Sequence, residues 1–341
     1  MFTKIYDKLK DILKKSYKTI IFLICFSLIL SYPVPYYIFT SGGITDLSKR
    51  FEVENGYKQE GSYNLSYVTE LNANVLTYLA SYLVPSWDLV EQSDYKINDE
   101  EDLSELEMRS LLSLAMANQT AVMVAYEKAG KEVVVNDVKH YVIYTEDFLE
   151  SSEKIYVGDI LIKVEKEKID KLSDIADKIE SKNIGDYITL TFDRNGKEKD
   201  INVKVKKLNG YKVLGIAFYN IYDYEVTPKI TFNFKEGESG ASAGFMTSLA
   251  IYDTLIEKDL THGLKIAGTG TIEADGTVGE IGGVSYKLKG AVSQNADIFF
   301  VPAGENYEEA KKVKDKKNYK IDLVPVSNIS DAIEYLESLE K

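Results

Sequence analysis

The sequence predicts an α+β multidomain protein in three parts: an N-terminal transmembrane helix, a β-rich module and an α/β domain. Three observations predict it. Residues 19–39 hold no charged side chain. Residues 130–208 read as short apolar runs around one helical stretch. Residues 237–257 read as a small-residue turn running into good helix formers.

The first part is argued from length and charge. Thr19–Phe39 is a run of twenty-one residues, which as a helix at about 1.5 Å per residue matches one hydrocarbon thickness. Six lysines against Asp7 and Asp11 precede it. The positive-inside rule then leaves residues 1–18 as a cytoplasmic basic tail and sends the rest across the membrane. Pro33 and Pro35 are expected to end the helix, with Tyr32, Tyr36 and Tyr37 at the outer interface. The expected location is a single-pass protein of the cytoplasmic membrane, its C-terminal domains extracellular.

Composition narrows the function. The chain carries a net charge of −13 although its start is basic, so the body is strongly acidic and would repel a phosphate backbone; nucleic acid is not an expected partner. One cysteine, Cys25, and two histidines, His140 and His262, exclude a disulfide framework and leave no metal site to expect.

Residues 41–129 form a connecting region with an alternating strand at Ser62–Glu70 and a helical segment near Leu76–Leu83. The acidic run Asn98–Asp102 opens a long helical pattern through Leu103, Leu106, Leu111, Leu112, Leu114, Ala115 and Val122. Acids at a helix start complement its dipole, so this run reads as a helix entry rather than a calcium site.

The module at 130–208 has strands expected at Val133–Val135, Tyr141–Tyr144, Asp159–Val164, Tyr187–Phe192 and Asp200–Val205, with a helix near Leu172–Ser181. Leu172, Ile175, Ala176 and Ile179 share one helix face, as a core face or a groove wall would. The run Val157–Val164, the helix after it and Tyr187–Gly196 resemble a PDZ domain, a family that adds a peptide strand to a sheet edge. The resemblance implies peptide contacts at Val138, Tyr141, Ile175 and Ile179. The glycine of the family's terminal-carboxylate loop is expected near Asn136–Tyr141, where this chain has none.

Candidate chemistry lies further on. Residues 237–249 read Gly-Glu-Ser-Gly-Ala-Ser-Ala-Gly-Phe-Met-Thr-Ser-Leu. Small neighbours around Ser242 let a carbonyl approach closely, and N–H groups at a helix start can face developing negative charge. A serine there is equally a helix cap. A second segment decides between these readings: Ala267–Ala291 carries Thr269, the pair Gly282-Gly283, and Lys287. Together the two segments resemble the proteolytic domain of the Lon peptidase family over residues 209–341, opening at Val213–Phe218, passing through Ile298–Pro302 and closing at Leu323–Ser327.

The resemblance implies Ser242 as nucleophile, Lys287 as its base, Thr269 as the residue that orients the lysine, and backbone N–H groups at Ala241 and Ala243 as an oxyanion hole. Ala241 stands where that family has proline, and Ser239 where many members have an acid. The chemistry is consistent without the resemblance: a serine hydroxyl needs a base, neither histidine has a triad context, and a lysine buried among apolar neighbours loses its proton more readily.

No Gly-x-x-x-x-Gly-Lys-Ser/Thr loop occurs in the chain, so nucleotide is not an expected partner and no cofactor is expected. The order of segments resembles the membrane-anchored, PDZ-containing Lon-like peptidases of Gram-positive bacteria. It implies an ATP-independent serine endopeptidase acting on extracellular peptides or loosely folded proteins, as a possible homo-oligomer. The alternative is an inactive membrane-anchored peptide-binding or scaffolding protein, motivated by Ser239 and Ala241.

Overall fold

The apolar stretch that begins at Thr19 does not stay helical. In the computed structural model, which describes residues 2–97, 101–235 and 237–339, a helix spans Phe2–Leu30 and a strand starts at Pro33. The expected span at 19–39 is thereby divided. Its helical part, 19–30, is about 18 Å long at the helical rise, against a hydrocarbon core of about 30 Å; the rest is strand. No helix among the described residues is long and apolar enough to cross a membrane. The expected transmembrane helix is corrected accordingly, and with it the expected location as a single-pass protein of the cytoplasmic membrane with extracellular domains. The physical reason is that an uncharged run carries no period of its own, and Pro33 and Pro35 hand its second half to a sheet.

The chain divides into two compact units, residues 2–40 with 69–95 and residues 41–68 with 96–339. The strands Pro33–Asp46 and Ser62–Asn74 each give residues to both. In the smaller unit Tyr36–Phe39 pairs antiparallel with Asp88–Glu91. A short helix, Val75–Ser81, opens on a capping box of Asn74 and Thr77. The rings of Tyr36 and Tyr78 lie 5.1 Å apart, and those of Tyr78 and Tyr82 5.7 Å apart.

The larger unit contains a parallel sheet. Asp322–Val326, Ile298–Pro302, Lys265–Gly268 and residues 62–65 lie side by side in that order. Strand periodicity of two sends alternate side chains to opposite faces. Ile266 and Phe300 join one core with the helices Gly244–Leu255 and Ile329–Ser338, while Ala267 and Phe299 join another with Val284–Ser293 and Glu305–Lys317. The result is a three-layer α/β/α domain. Covered on both faces, its strands read as continuous apolar runs, Ile298–Pro302 being buried throughout.

The region 41–129 is built into this unit through its residues 41–68 and 101–129. Residues 62–65 add a strand to the parallel sheet, and Phe51–Val53 pairs with Ile230–Phe232. The long helix Leu103–Lys128 packs along Gly244–Leu255 and buries Ala121, Val122, Ala125 and Tyr126 in the same core. Of the acidic helix entry, Asn98–Glu100 lie outside the described residues. Asp102 caps the helix and Glu105 returns a bond to its backbone.

A second, all-antiparallel sheet makes the β-rich module. Its order is Ile216–Val226, Val133–Thr145, Ile160–Val164, Tyr187–Arg194 and Lys197–Lys204, with the helix Ser173–Glu180 packed on a core of Val142, Leu161, Val164, Ile175, Leu190 and Phe192. Asn195-Gly196, both at positive φ, close the Tyr187–Lys204 hairpin as a tight two-residue turn. One strand was not foreseen here: Ile216–Val226 runs the length of Val133–Thr145 and forms the free edge of this sheet. The whole strand lies within residues 209–341, where the resemblance places the C-terminal domain.

Candidate active site and peptide groove

Ser242 occupies the middle of a 3₁₀ turn, Ala241–Ala243, that leads into the helix Gly244–Leu255. Gly240 enters the turn at φ +89°, which a side chain would strain. Gly244 is needed for a different reason: a Cβ there would come within 2.7 Å of the Ile272 side chain. The turn therefore lies close against the segment Thr269–Ile272. Two backbone bonds join them, Gly270 N–H to Ser242 carbonyl at 3.1 Å and Phe245 N–H to Gly270 carbonyl at 3.1 Å.

Lys287 reaches the same segment from the opposite layer. Its helix, Val284–Ser293, starts after Gly283, whose left-handed conformation turns the chain sharply. Ahead of that turn, Asn306 holds Ile281 by both its N–H and its carbonyl, which fixes the loop from which the helix springs. Lys287 is only 5% exposed, among the buried Val284, Leu288 and Ala291. Its amine donates to the Thr269 hydroxyl at 3.0 Å. Burial holds its pKa down at about 8, because the low-dielectric surroundings disfavour the ammonium form.

Thr269 joins the two. Wholly buried, its hydroxyl accepts from Lys287 and donates to the Ser242 carbonyl at 3.4 Å. Ala241, Ser242 and Ala243 thus form one turn, tied through Thr269 to Lys287. Ser239 is exposed, and Ser285 gives its hydroxyl to Glu309. Both histidines are engaged elsewhere, His140 with Asn220 and His262 with the Leu336 carbonyl. The arrangement supplies an amine that is substantially neutral near pH 8, held by one hydroxyl next to a serine at a helix start. Those are the parts of a hydroxyl nucleophile and its base.

The β-rich module has its own concavity, of about 340 Å³. Leu172, Ile175, Ala176 and Ile179 line it from the helix, and Leu214, Gly215, Ile216 and Phe218 from the free sheet edge. Two of the expected peptide contacts, Ile175 and Ile179, are in this groove. Val138 and Tyr141 are not: they belong to the second strand of the sheet, where they face Tyr222 and Tyr219 across the ladder. Gly215, which lines the groove, is at φ +78° and packed so that a Cβ would meet Phe148 at 2.9 Å.

Comparison with known proteins identifies two domains. Residues 121–205 match the PDZ domain model, and residues 233–338 match the model of the Lon protease (S16) C-terminal proteolytic domain. Over 94 residues the chain is 31% identical to the Lon protease of Aster yellows witches'-broom phytoplasma, and it spans 12% of that protein's length. Two solved structures are similar to part of this chain. The PDZ domain of an SdrC-like protein from Listeria monocytogenes is 20% identical, with 23% of this chain and 85% of that one covered at a TM-score of 0.22. The second domain of the Listeria protein Lin2157 is 19% identical, with 25% and 87% covered at the same TM-score.

Proposed function

We propose that this chain, carrying a PDZ domain and a Lon C-terminal proteolytic domain, is a serine endopeptidase that cleaves peptides or loosely folded polypeptides with Ser242 and Lys287, without nucleotide. The observation that carries the reading is the Thr269 hydroxyl, bonded at once to the Lys287 amine and to the Ser242 backbone. In the proposed reaction neutral Lys287 takes the Ser242 hydroxyl proton as the oxygen attacks the scissile carbonyl. Backbone N–H groups of the Ala241–Ala243 turn face the resulting oxyanion. The ammonium of Lys287 then protonates the leaving amine. In the second half neutral Lys287 takes a proton from the water that attacks the acyl-serine, and returns it to the Ser242 oxygen as the second product leaves.

The test is incubation of the full chain with an unfolded polypeptide, with and without ATP. Fragments are expected equally in both. An absence of fragments overturns the reading, and dependence on ATP overturns its nucleotide-free part. Thr269→Val is expected to lower kcat roughly tenfold with little change in KM, since it removes one hydrogen bond to the base and none to substrate. Steady-state kinetics on a short peptide measures this.

The PDZ groove is proposed to hold a segment of the substrate. A peptide strand would extend the sheet along Ile216–Phe218 and set side chains against Ile175 and Ile179. Deleting residues 131–208 would remove the strand Val133–Thr145, to which Ile216–Val226 is paired, so a point change is the cleaner probe. Ile179→Lys is expected to raise KM for long substrates about tenfold and leave short peptides unaffected. Equal effects on both lengths would argue against the groove.

A further inference from the structure

Both ends of the loop before Ser242 are held by residues far away in sequence. Gly237 and Gly240 are both at positive φ with open space where a side chain would be, so neither is held by side-chain packing of its own. On one side the Asn233 N–H donates to the Arg50 carbonyl at 2.7 Å. On the other the Gly240 N–H donates to the Ser110 carbonyl at 3.1 Å. Between them the Arg50 guanidinium grips Glu238: Nε lies 2.9 Å from both carboxylate oxygens and Nη2 lies 2.6 Å from Oε1. Glu238 Oε2 also accepts the Lys235 N–H at 2.9 Å, which closes the loop on itself.

We propose that Arg50 is a positioning residue for the nucleophile turn, fixing through Glu238 the backbone that sets the Ser242 hydroxyl and its neighbouring N–H groups. The inference rests on the reading of Ser242 as nucleophile. Three features favour positioning over a stabilising surface pair. Arg50 is 6% exposed overall, so its charge is satisfied inside the protein rather than by water. The guanidinium is rigid and engages both carboxylate oxygens, which constrains direction as well as distance. Glu238 stands four residues before Ser242, and Gly240 between them is tied to the Ser110 carbonyl, so the pair acts with that bond to set where the turn begins. Ser239, where a carboxylate is usual in the resembling family, is exposed; the acid that acts on this loop is its neighbour, and it points at an arginine rather than at the lysine.

The experiment compares the full wild-type chain with Arg50→Met, Arg50→Lys and Glu238→Gln on a short peptide, recording kcat, KM, the pH midpoint and the thermal unfolding midpoint. Arg50→Met is expected to lower kcat at least about tenfold, with KM and the pH midpoint unchanged because Lys287 and Thr269 are untouched. Arg50→Lys keeps the charge without the fork, and its kcat is expected between the two. A wild-type kcat in folded Arg50→Met, or a shift in KM alone, overturns the proposal. Where Arg50→Met does not fold, Glu238→Gln decides in the same way, since it retains shape and loses charge: a severalfold fall in kcat supports positioning and an unchanged kcat overturns it. A Ser242→Ala control that still cleaves the peptide shows instead that the underlying reading of the nucleophile is wrong.

Discussion

Ser242→Ala is expected to remove peptide cleavage, with a fall in kcat of about 10³-fold or more. The estimate follows from what the hydroxyl does in the proposed reaction. It forms the covalent bond, and without it only the turn's backbone N–H groups and substrate binding remain, which by themselves give a small residue of catalysis. The change deletes one oxygen from a half-buried side chain. The Ser242 carbonyl still accepts from Gly270 and Thr269, so the fold and KM are expected to persist. Peptide hydrolysis and a thermal melt, measured on the same preparation, check both halves. Retained cleavage would move the nucleophile elsewhere.

Lys287→Met is expected to remove activity to a similar extent while making the protein more stable at neutral pH. The two effects have one cause. Lys287 is buried with a single hydroxyl as partner, which is why its pKa is down at about 8. Between about pH 8 and the unfolded lysine value of about 10.4, the unfolded chain holds a proton that the folded chain has released. The unfolded state binds more protons there, so stability rises with pH through that window. At neutral pH burial of the amine costs about 3 kcal/mol relative to an exposed lysine. An unbranched apolar side chain removes that cost, and a higher unfolding midpoint follows. In the wild type, kcat/KM is expected to rise as Lys287 loses its proton and to level off above about pH 8. Lys287→Arg is not expected to rescue, because a guanidinium cannot give up its proton. A pH–rate profile that falls through this range would contradict the base assignment.

The candidate site was legible as two short motifs, around Ser242 and around Thr269–Lys287, whose pairing resembles the Lon peptidase family; the left-handed Gly283 ahead of the lysine helix is a structural finding. The module's strands and helix were likewise legible from period-two and period-3.6 patterns. Two kinds of feature were not. The place of Gly215 in the groove was not legible because that edge is built from a strand that follows the module in sequence and returns to pair with its first strand. Arg50 was invisible because its partner lies 188 residues away, and a lone arginine in a connecting region carries no local signal.

The N-terminal run shows the same boundary from the other side. Absence of charge over Thr19–Phe39 is a property of the sequence. Whether such residues form a helix or a strand is decided by what pairs with them: Tyr36–Phe39 finds Asp88–Glu91, and the helix stops at Leu30. The sequence by itself determined the PDZ-like and α/β character of the chain, because these rest on periodicity, and it pointed to Ser242, Thr269 and Lys287 through the resemblance of two short motifs to the Lon peptidase family. Only the tertiary structure decided that Thr269 links the Ser242 backbone to Lys287, that Arg50 holds the loop, that Gly215 lines the groove and that no described helix is long and apolar enough to cross a membrane. Each of those depends on contacts between residues far apart in the chain, which local pattern does not encode.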